Sequence, residues 1–195
     1  MLHTLVAPAR HSEDIRKSRF LAQAAPVETP QQALAFVQAV SDAGATHNCW
    51  AYRIGQEYRF NDDGEPGGTA GRPILQAIEG QGIDRVAVVV TRWYGGIKLG
   101  AGGLARAYGG TAAECLRLAA RTPIVAMVQL GLCCDFAELA RIKARLKELG
   151  AELEQEQFEA DGARLQWRLP EQQLEEAKLR IVDISRGRSE GYLVD

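Results

Sequence analysis

The sequence has neither a strong charge of one sign nor a long apolar run. Its 23 Lys and Arg side chains stand against 25 Asp and Glu side chains, a formal net charge of −2. This balance gives no global basic field of the kind that marks many nucleic-acid-binding proteins. No apolar stretch approaches the ~20 residues of a membrane span, and no charged-then-apolar leader stands at the N terminus. We therefore expect a soluble, cytoplasmic protein without membrane contact.

Cysteine is scarce, and its spacing excludes several kinds of site. The four cysteines are Cys49, Cys115, Cys133 and Cys134, and no two of them form a CxxC pair. Two adjacent cysteines suit neither a structural metal site nor a disulfide framework. The sequence predicts reduced, mostly buried thiols and neither a bound metal nor a cofactor.

Apolar periodicity and breaker residues predict an α+β chain of two domains, 1–122 and 123–195. The first has strands over 3–9, 17–27, 48–55, 57–60 and 85–93, and helices over 29–44, 74–82 and 102–120. The second has strands over 124–132, 151–159, 163–169 and 192–194, and helices over 136–149 and 171–185. Its order βαββαβ, with an Asp-Gly hairpin turn, is typical of the ferredoxin-like fold.

A glycine-rich motif follows the most apolar predicted strand. Seven glycines fall within residues 95–110, and Arg92, Lys98 and Arg106 are interspersed among or beside them without an acid. A dinucleotide fingerprint is rejected because "GGIKL" separates strand from helix, and Walker A is rejected because Leu follows Lys98. A helix that starts among glycines offers free N–H groups to an anion. The alternative, equally weighted, is that the glycines serve turns and the cations form a solvated face.

The segment "NDDGEPGGTAGRP", residues 61–73, concentrates acids and turn formers. Asp62, Asp63 and Glu65 are candidates for a divalent cation or for acid–base chemistry. The EF-hand spacing is absent, so we favour turn formation, with Thr69 capping the helix that follows.

His47 and Cys49 alternate on a predicted strand, so their side chains share one face. A Cys–His catalytic pair oriented by Asp62 or Asp63 is one interpretation, and a packed or hydrogen-bonded pair is the favoured one.

Four stretches together carry a family resemblance: "KSRF" at 17–20, "ATHNCWAY" at 45–52, "DDGEPGGTAGRP" at 62–73 and "VVTRWYGGIKLGAGGLARAY" at 89–108. With them the chain resembles the bacterial two-domain members of the YigZ/IMPACT family. The resemblance implies an N-terminal β-α domain similar to a fold of a small-ribosomal-subunit protein and elongation factor G. It implies a C-terminal domain similar to the last domain of elongation factor G, and eukaryotic relatives that regulate translation.

The leading hypothesis is a non-enzymatic protein that binds RNA or the ribosome and influences translation. The expected phosphate- and base-binding residues are Arg72, Arg92, Tyr94, Lys98, Gly102, Gly103, Arg106 and Tyr108. Asp62, Asp63, Glu65 and Thr69 would line the same groove. One alternative is a binder of, or enzyme on, a nucleotide or other phosphate-containing small ligand that uses the glycine-rich loop. The other is an adaptor that captures a protein partner through its acidic C-terminal domain.

Overall fold

The computed structural model describes residues 2–194. It divides the chain into two compact units, Met1–Ile124 and Val125–Asp195. The division lies beyond the predicted boundary because β7 (Arg121–Pro123) pairs with β1 (His3–Leu5) inside the first unit. Within the described residues, no helix has the length and apolarity that crossing a membrane requires.

The first unit is built on a five-stranded antiparallel sheet with three helices. Its strands are β2 (Ala9–Ile15), β3 (Ser18–Pro26), β4 (His47–Ile54), β5 (Glu57–Asn61) and β6 (Val86–Trp93). Its helices are α1 (Pro30–Val40), α2 (Gly71–Gly80) and α3 (Ala101–Leu118). The strand order is β2-β3-β6-β4-β5, so the apolar strand β6 lies at the centre.

Strand β6 is buried on both faces, which explains its continuous apolar run. Val86, Val88 and Val90 pack in the cluster that contains α2 and α3. Ala87 packs on the opposite face in a cluster with Ala33 of α1. Because side chains alternate along a strand, Arg92, near the end of β6, points to the same face as these valines, the face covered by α2 and α3.

Strand β2 was not predicted, because its sequence "ARHSEDI" has no apolar alternation. It is an edge strand that pairs with β3 through the two-residue turn Arg16-Lys17. Both turn residues have positive φ, 47° and 66°, as a type I′ hairpin turn requires. The usual Asn-Gly sequence is missing, so the turn could not be recognised from the residues.

The second unit has the predicted ferredoxin-like βαββαβ order. Its elements are β8 (Met127–Asp135), α4 (Phe136–Glu148), β9 (Glu152–Phe158), β10 (Gly162–Pro170), α5 (Leu174–Ser185) and β11 (Tyr192–Leu193), with a 3₁₀ turn at Glu171–Gln173. The antiparallel strand order is β11-β8-β10-β9. A separate core forms around the fully buried Trp167. The α+β assignment with this second domain is therefore confirmed.

Candidate functional site

A pocket of about 470 Å³ opens at the start of α3, and we name it the α3 pocket. It lies where the end of β6 meets the start of β4, the glycine-rich motif and the loop of residues 62–70 between β5 and α2, which we name the acidic loop. Its lining residues are Thr46, His47, Glu65, Pro66, Arg92, Tyr94, Lys98, Leu99, Gly100, Ala101 and Leu104. The fold therefore brings residues from three of the sequence motifs into one concave surface.

The start of α3 presents backbone donors to this pocket. Gly100 precedes the helix with φ at 76°, a conformation that favours glycine, and among the described residues no side chain caps the start of the helix. The first N–H groups of a helix have no intrahelical acceptor, so those of α3 are available to an anion. Lys98 is exposed beside them and adds a positive charge.

Gly103, the second of the two glycines predicted to contact a ligand, serves close packing. A Cβ added there would lie 3.0 Å from Cβ of Leu99. At Gly102 the nearest atom to such a Cβ would be a guanidinium nitrogen of Arg106, at 3.4 Å. Arg106 therefore folds back over the first turn of its own helix.

Arg92 and Glu65 form a buried ion pair beneath the pocket. Nη1 of Arg92 donates to Oε1 of Glu65 at 2.7 Å, and the side chains are only 6% and 4% exposed. Nη2 of Arg92 also reaches Oγ of Ser18 at 3.4 Å. The guanidinium carbon lies 5.3 Å from the ring centre of Tyr94, within cation–π range. Because Glu65 neutralises its charge, Arg92 offers less attraction to an anion than the sequence suggests.

The prediction that Tyr108 stacks on a base is wrong. Its side chain is fully buried, and its hydroxyl donates to Oε1 of Glu65 at 2.6 Å. Burial, more than the neighbouring Cys49 and Glu65, raises the pKa of this phenol well above its usual value. Tyr94, by contrast, is 46% exposed, so part of its ring can contact a ligand.

The acidic loop uses two of its three carboxylates to hold backbone. The side chain of Asp62 accepts the N–H groups of Gly68, Ala70 and Gly71 at 2.8, 3.0 and 2.8 Å. It therefore caps α2, and the prediction that Thr69 does so is wrong: the Thr69 hydroxyl donates to the carbonyl of Pro66 at 2.6 Å. A cap nine residues upstream of the helix start cannot be read from the local sequence.

Asp63 anchors the same loop to β4. Its Oδ2 accepts the N–H of Asn48 at 2.6 Å. Of the three predicted acids, only Glu65 lines the α3 pocket. Across residues 2–194, no group of three His, Cys, Asp or Glu side chains is placed to hold a metal ion.

His47 and Cys49 each bond to a different carbonyl of the acidic loop. Nδ1 of His47 lies 2.7 Å from the carbonyl oxygen of Asp63, and Sγ of Cys49 donates to that of Asp62 at 3.0 Å. Burial is the main reason that the pKa of the Cys49 thiol is raised to about 12, with a smaller opposing effect of Tyr108. A thiol that stays protonated is a poor nucleophile, so this geometry does not support the Cys–His catalytic interpretation.

The remaining predicted cations lie apart from the α3 pocket. Arg72 is exposed on α2 and is not part of the pocket lining. Arg106 lines a neighbouring groove of about 500 Å³ together with Arg16 of the β2–β3 turn. Leu99 lines both cavities. Arg16 was missed by the sequence interpretation because a turn 90 residues upstream of Arg106 gives no local indication of this neighbour.

Two family models match the chain. The Impact N-terminal domain matches residues 16–116, and a domain of unknown function (DUF1949) matches residues 132–188. The chain belongs to the IMPACT family. Every residue that lines the α3 pocket falls within the Impact N-terminal domain match.

Two bacterial relatives in this family are similar to the chain over most of their length. The chain is 51% identical over 156 residues to an IMPACT family member in the pol 5′ region of Thermus thermophilus, covering 80% of this chain and 86% of that protein. It is 36% identical over 188 residues to the IMPACT family member YigZ of Escherichia coli, covering 93% and 92%. A crystal structure described as that of a hypothetical protein is 33% identical, with a TM-score of 0.74 and coverage of 100% and 97%.

Proposed function

We propose that this IMPACT family chain is a non-enzymatic, cytoplasmic RNA-binding protein that contacts the ribosome and influences translation. The translation part rests on what the family resemblance implies, and the RNA part rests on the α3 pocket. One observation carries the RNA part: Lys98 and the uncapped first turn of α3 line the same cavity as the exposed ring of Tyr94. Cation and N–H groups suit a phosphate, and an exposed ring suits an unstacked base.

Binding without catalysis is consistent with the contacts of the candidate catalytic side chains, each of which is engaged within the protein. Glu65 is engaged in a buried ion pair, and Cys49 has a raised pKa and donates to a backbone carbonyl. Asp62 and Asp63 are occupied by backbone N–H groups. These contacts fix the acidic loop to the neighbouring strands and to α2, a structural role that supports binding rather than catalysis.

The second groove, which shares Leu99 with the α3 pocket, adds two guanidinium groups next to it. Arg16 and Arg106 lie in it beside Glu13 and Glu114. Mixed charges attract phosphate weakly, so we expect modest, salt-sensitive affinity for free RNA and stronger binding where the ribosome adds contacts.

A second candidate, a phosphate-containing small ligand, is favoured by the volume of the α3 pocket. About 470 Å³ falls within the range of about 300–1,000 Å³ that is usual for small-molecule sites. A nucleotide that binds as tightly as an RNA oligomer would favour this candidate.

Titration with labelled single-stranded RNA and with 30S subunits at several salt concentrations tests the proposal. The K98A/R106A variant removes one cation from each cavity, and R10A/R141A removes two exposed cations from β2 and α4 as a charge-matched control. For single strands, we expect the log–log salt slope of K98A/R106A to flatten by about 0.7 per lost phosphate contact, with the control unchanged. Absence of binding to both targets in low salt, or equal weakening in the control, would refute the proposal.

A further inference from the structure

Glu65 leaves one carboxylate oxygen for the α3 pocket. Its side chain is 4% exposed, and Oε1 accepts from both Arg92 and Tyr108. Within residues 2–194, Oε2 accepts no hydrogen bond, and Nε2 of His47 lies 3.7 Å from it. Oε2 is not one of the completely buried atoms that lack a partner, so it is open to the α3 pocket, where water or a ligand can donate a hydrogen bond to it.

His47 places a second acceptor beside that oxygen. Its Nδ1 faces the carbonyl of Asp63 at 2.7 Å, and a carbonyl only accepts, so Nδ1 carries the proton. In the neutral ring Nε2 is then an acceptor. The separation of 3.7 Å between Nε2 and Oε2 is longer than a hydrogen bond, so neither atom satisfies the other.

The pocket therefore combines two kinds of polar group. Lys98 and the start of α3 donate to an anion, whereas Glu65 and His47 accept from a hydroxyl group. Tyr94, Leu99 and Leu104 provide apolar surface. A phosphate, a sugar hydroxyl and a flat ring occur together in a nucleotide.

We infer that the α3 pocket selects ribonucleotides over deoxyribonucleotides, because Glu65 Oε2 and His47 Nε2 share the single hydrogen of the ribose 2′-hydroxyl in a three-centre hydrogen bond. This inference rests on the proposed function, in which RNA occupies the pocket. Within an RNA strand the 3′ oxygen is esterified, so the 2′-hydroxyl is the sugar donor that remains. DNA lacks it, and these acceptors stay unsatisfied when DNA binds.

The test compares single-stranded RNA, DNA and 2′-O-methyl RNA of one sequence. The methylated strand keeps the sugar conformation of RNA but loses the donor. Because a hydrogen bond to a charged acceptor changes affinity by about tenfold or more, we expect wild type to bind RNA about tenfold tighter than either analogue. His47→Leu should reduce this preference to about threefold or less, and Glu65→Gln should also reduce it.

Lys98→Ala is the matched control for the phosphate contact. It should weaken binding of all three strands by the same factor and keep their ratio. His47→Leu leaves the Arg92–Glu65 ion pair in place. The test therefore remains valid even if Glu65→Gln is unstable. Thermal unfolding of each variant verifies that it is folded.

Two results would overturn the inference while leaving RNA binding intact. One is equal affinity of wild type for the three strands, with weaker binding by Lys98→Ala. The other is an RNA preference that both His47→Leu and Glu65→Gln retain in full. Absence of binding to all three strands and to 30S subunits overturns the inference and the proposed function together.

Discussion

Arg92 and Glu65 tie the acidic loop to the central strand of the first unit. Both side chains are almost completely buried, and Tyr108 adds a hydroxyl donor to the same carboxylate oxygen. Nε of Arg92 is buried without a hydrogen-bond partner among the described residues. Removing charges from water costs free energy, and their mutual attraction offsets that cost only while both partners are present.

We expect Arg92→Ala to lower the free energy of unfolding of the first unit by about 3–5 kcal/mol, because Glu65 is left as an uncompensated buried charge. Urea unfolding monitored by circular dichroism measures the loss. Arg117→Ala is the control, because Arg117 pairs with Glu114 on the exposed surface of α3 and its loss should leave the urea midpoint nearly unchanged. Equal stability of the two variants would contradict the structural role of the buried pair.

At the scale of elements, the β2–β3 hairpin and the glycine-rich loop depend on one close contact. A Cβ added at Gly95 would lie 1.8 Å from the carbonyl oxygen of Lys17, and the N–H of Gly95 reaches Oγ of Ser18 at 3.3 Å. No other residue has room at position 95. This approach places the Arg16-Lys17 turn beside the loop that leads into α3.

Gly95→Ala should therefore destabilise the first unit by about 1–3 kcal/mol or more, since backbone must move to admit the methyl group. It should also weaken RNA binding, because the turn carries Arg16 into the neighbouring groove. Urea unfolding and the salt titration measure the two effects.

Gly67→Ala in the acidic loop is the matched control, because a Cβ there meets nothing within 4 Å. Its stability should stay within about 0.5 kcal/mol of wild type. If the Gly95→Ala and Gly67→Ala variants have the same stability, the close contact between Gly95 and Lys17 is not required for the stability of the first unit.

For the whole molecule, the important feature is that each unit has its own core. Ile74, Val88 and Tyr108 belong to the main core of the first unit. Leu132, Ile142 and Trp167 belong to that of the second. A domain of about 70 residues buries enough apolar surface to fold alone, although its stability is small.

We expect a fragment of residues 125–195 to fold without the first unit and to unfold cooperatively in urea. Trp167 is fully buried and is the single tryptophan of this fragment, so its blue-shifted emission reports folding. Ile142→Ala, which opens a cavity in the same core, should lower the midpoint because such changes cost about 2–5 kcal/mol. Solvent-exposed tryptophan emission in the absence of urea would contradict independent folding.

The elements that local sequence predicts well are those whose residues carry their own start and stop signals. Thr29 accepts the N–H of Gln32 at 3.2 Å and Pro30 begins α1, so two adjacent residues mark the start of this helix. The ferredoxin-like order follows from alternating apolar periods joined by short turns. These features depend on neighbours a few positions away, which the sequence displays directly.

The sequence by itself determined the two α+β domains, the family and the motifs that contribute to the α3 pocket. Only the tertiary structure decided how the polar residues of those motifs are used. Arg92 meets Glu65 from 27 positions away, and Tyr108 meets it from 43. Whether a charge faces water or a buried partner depends on such distant contacts, because desolvation is a property of the packed molecule.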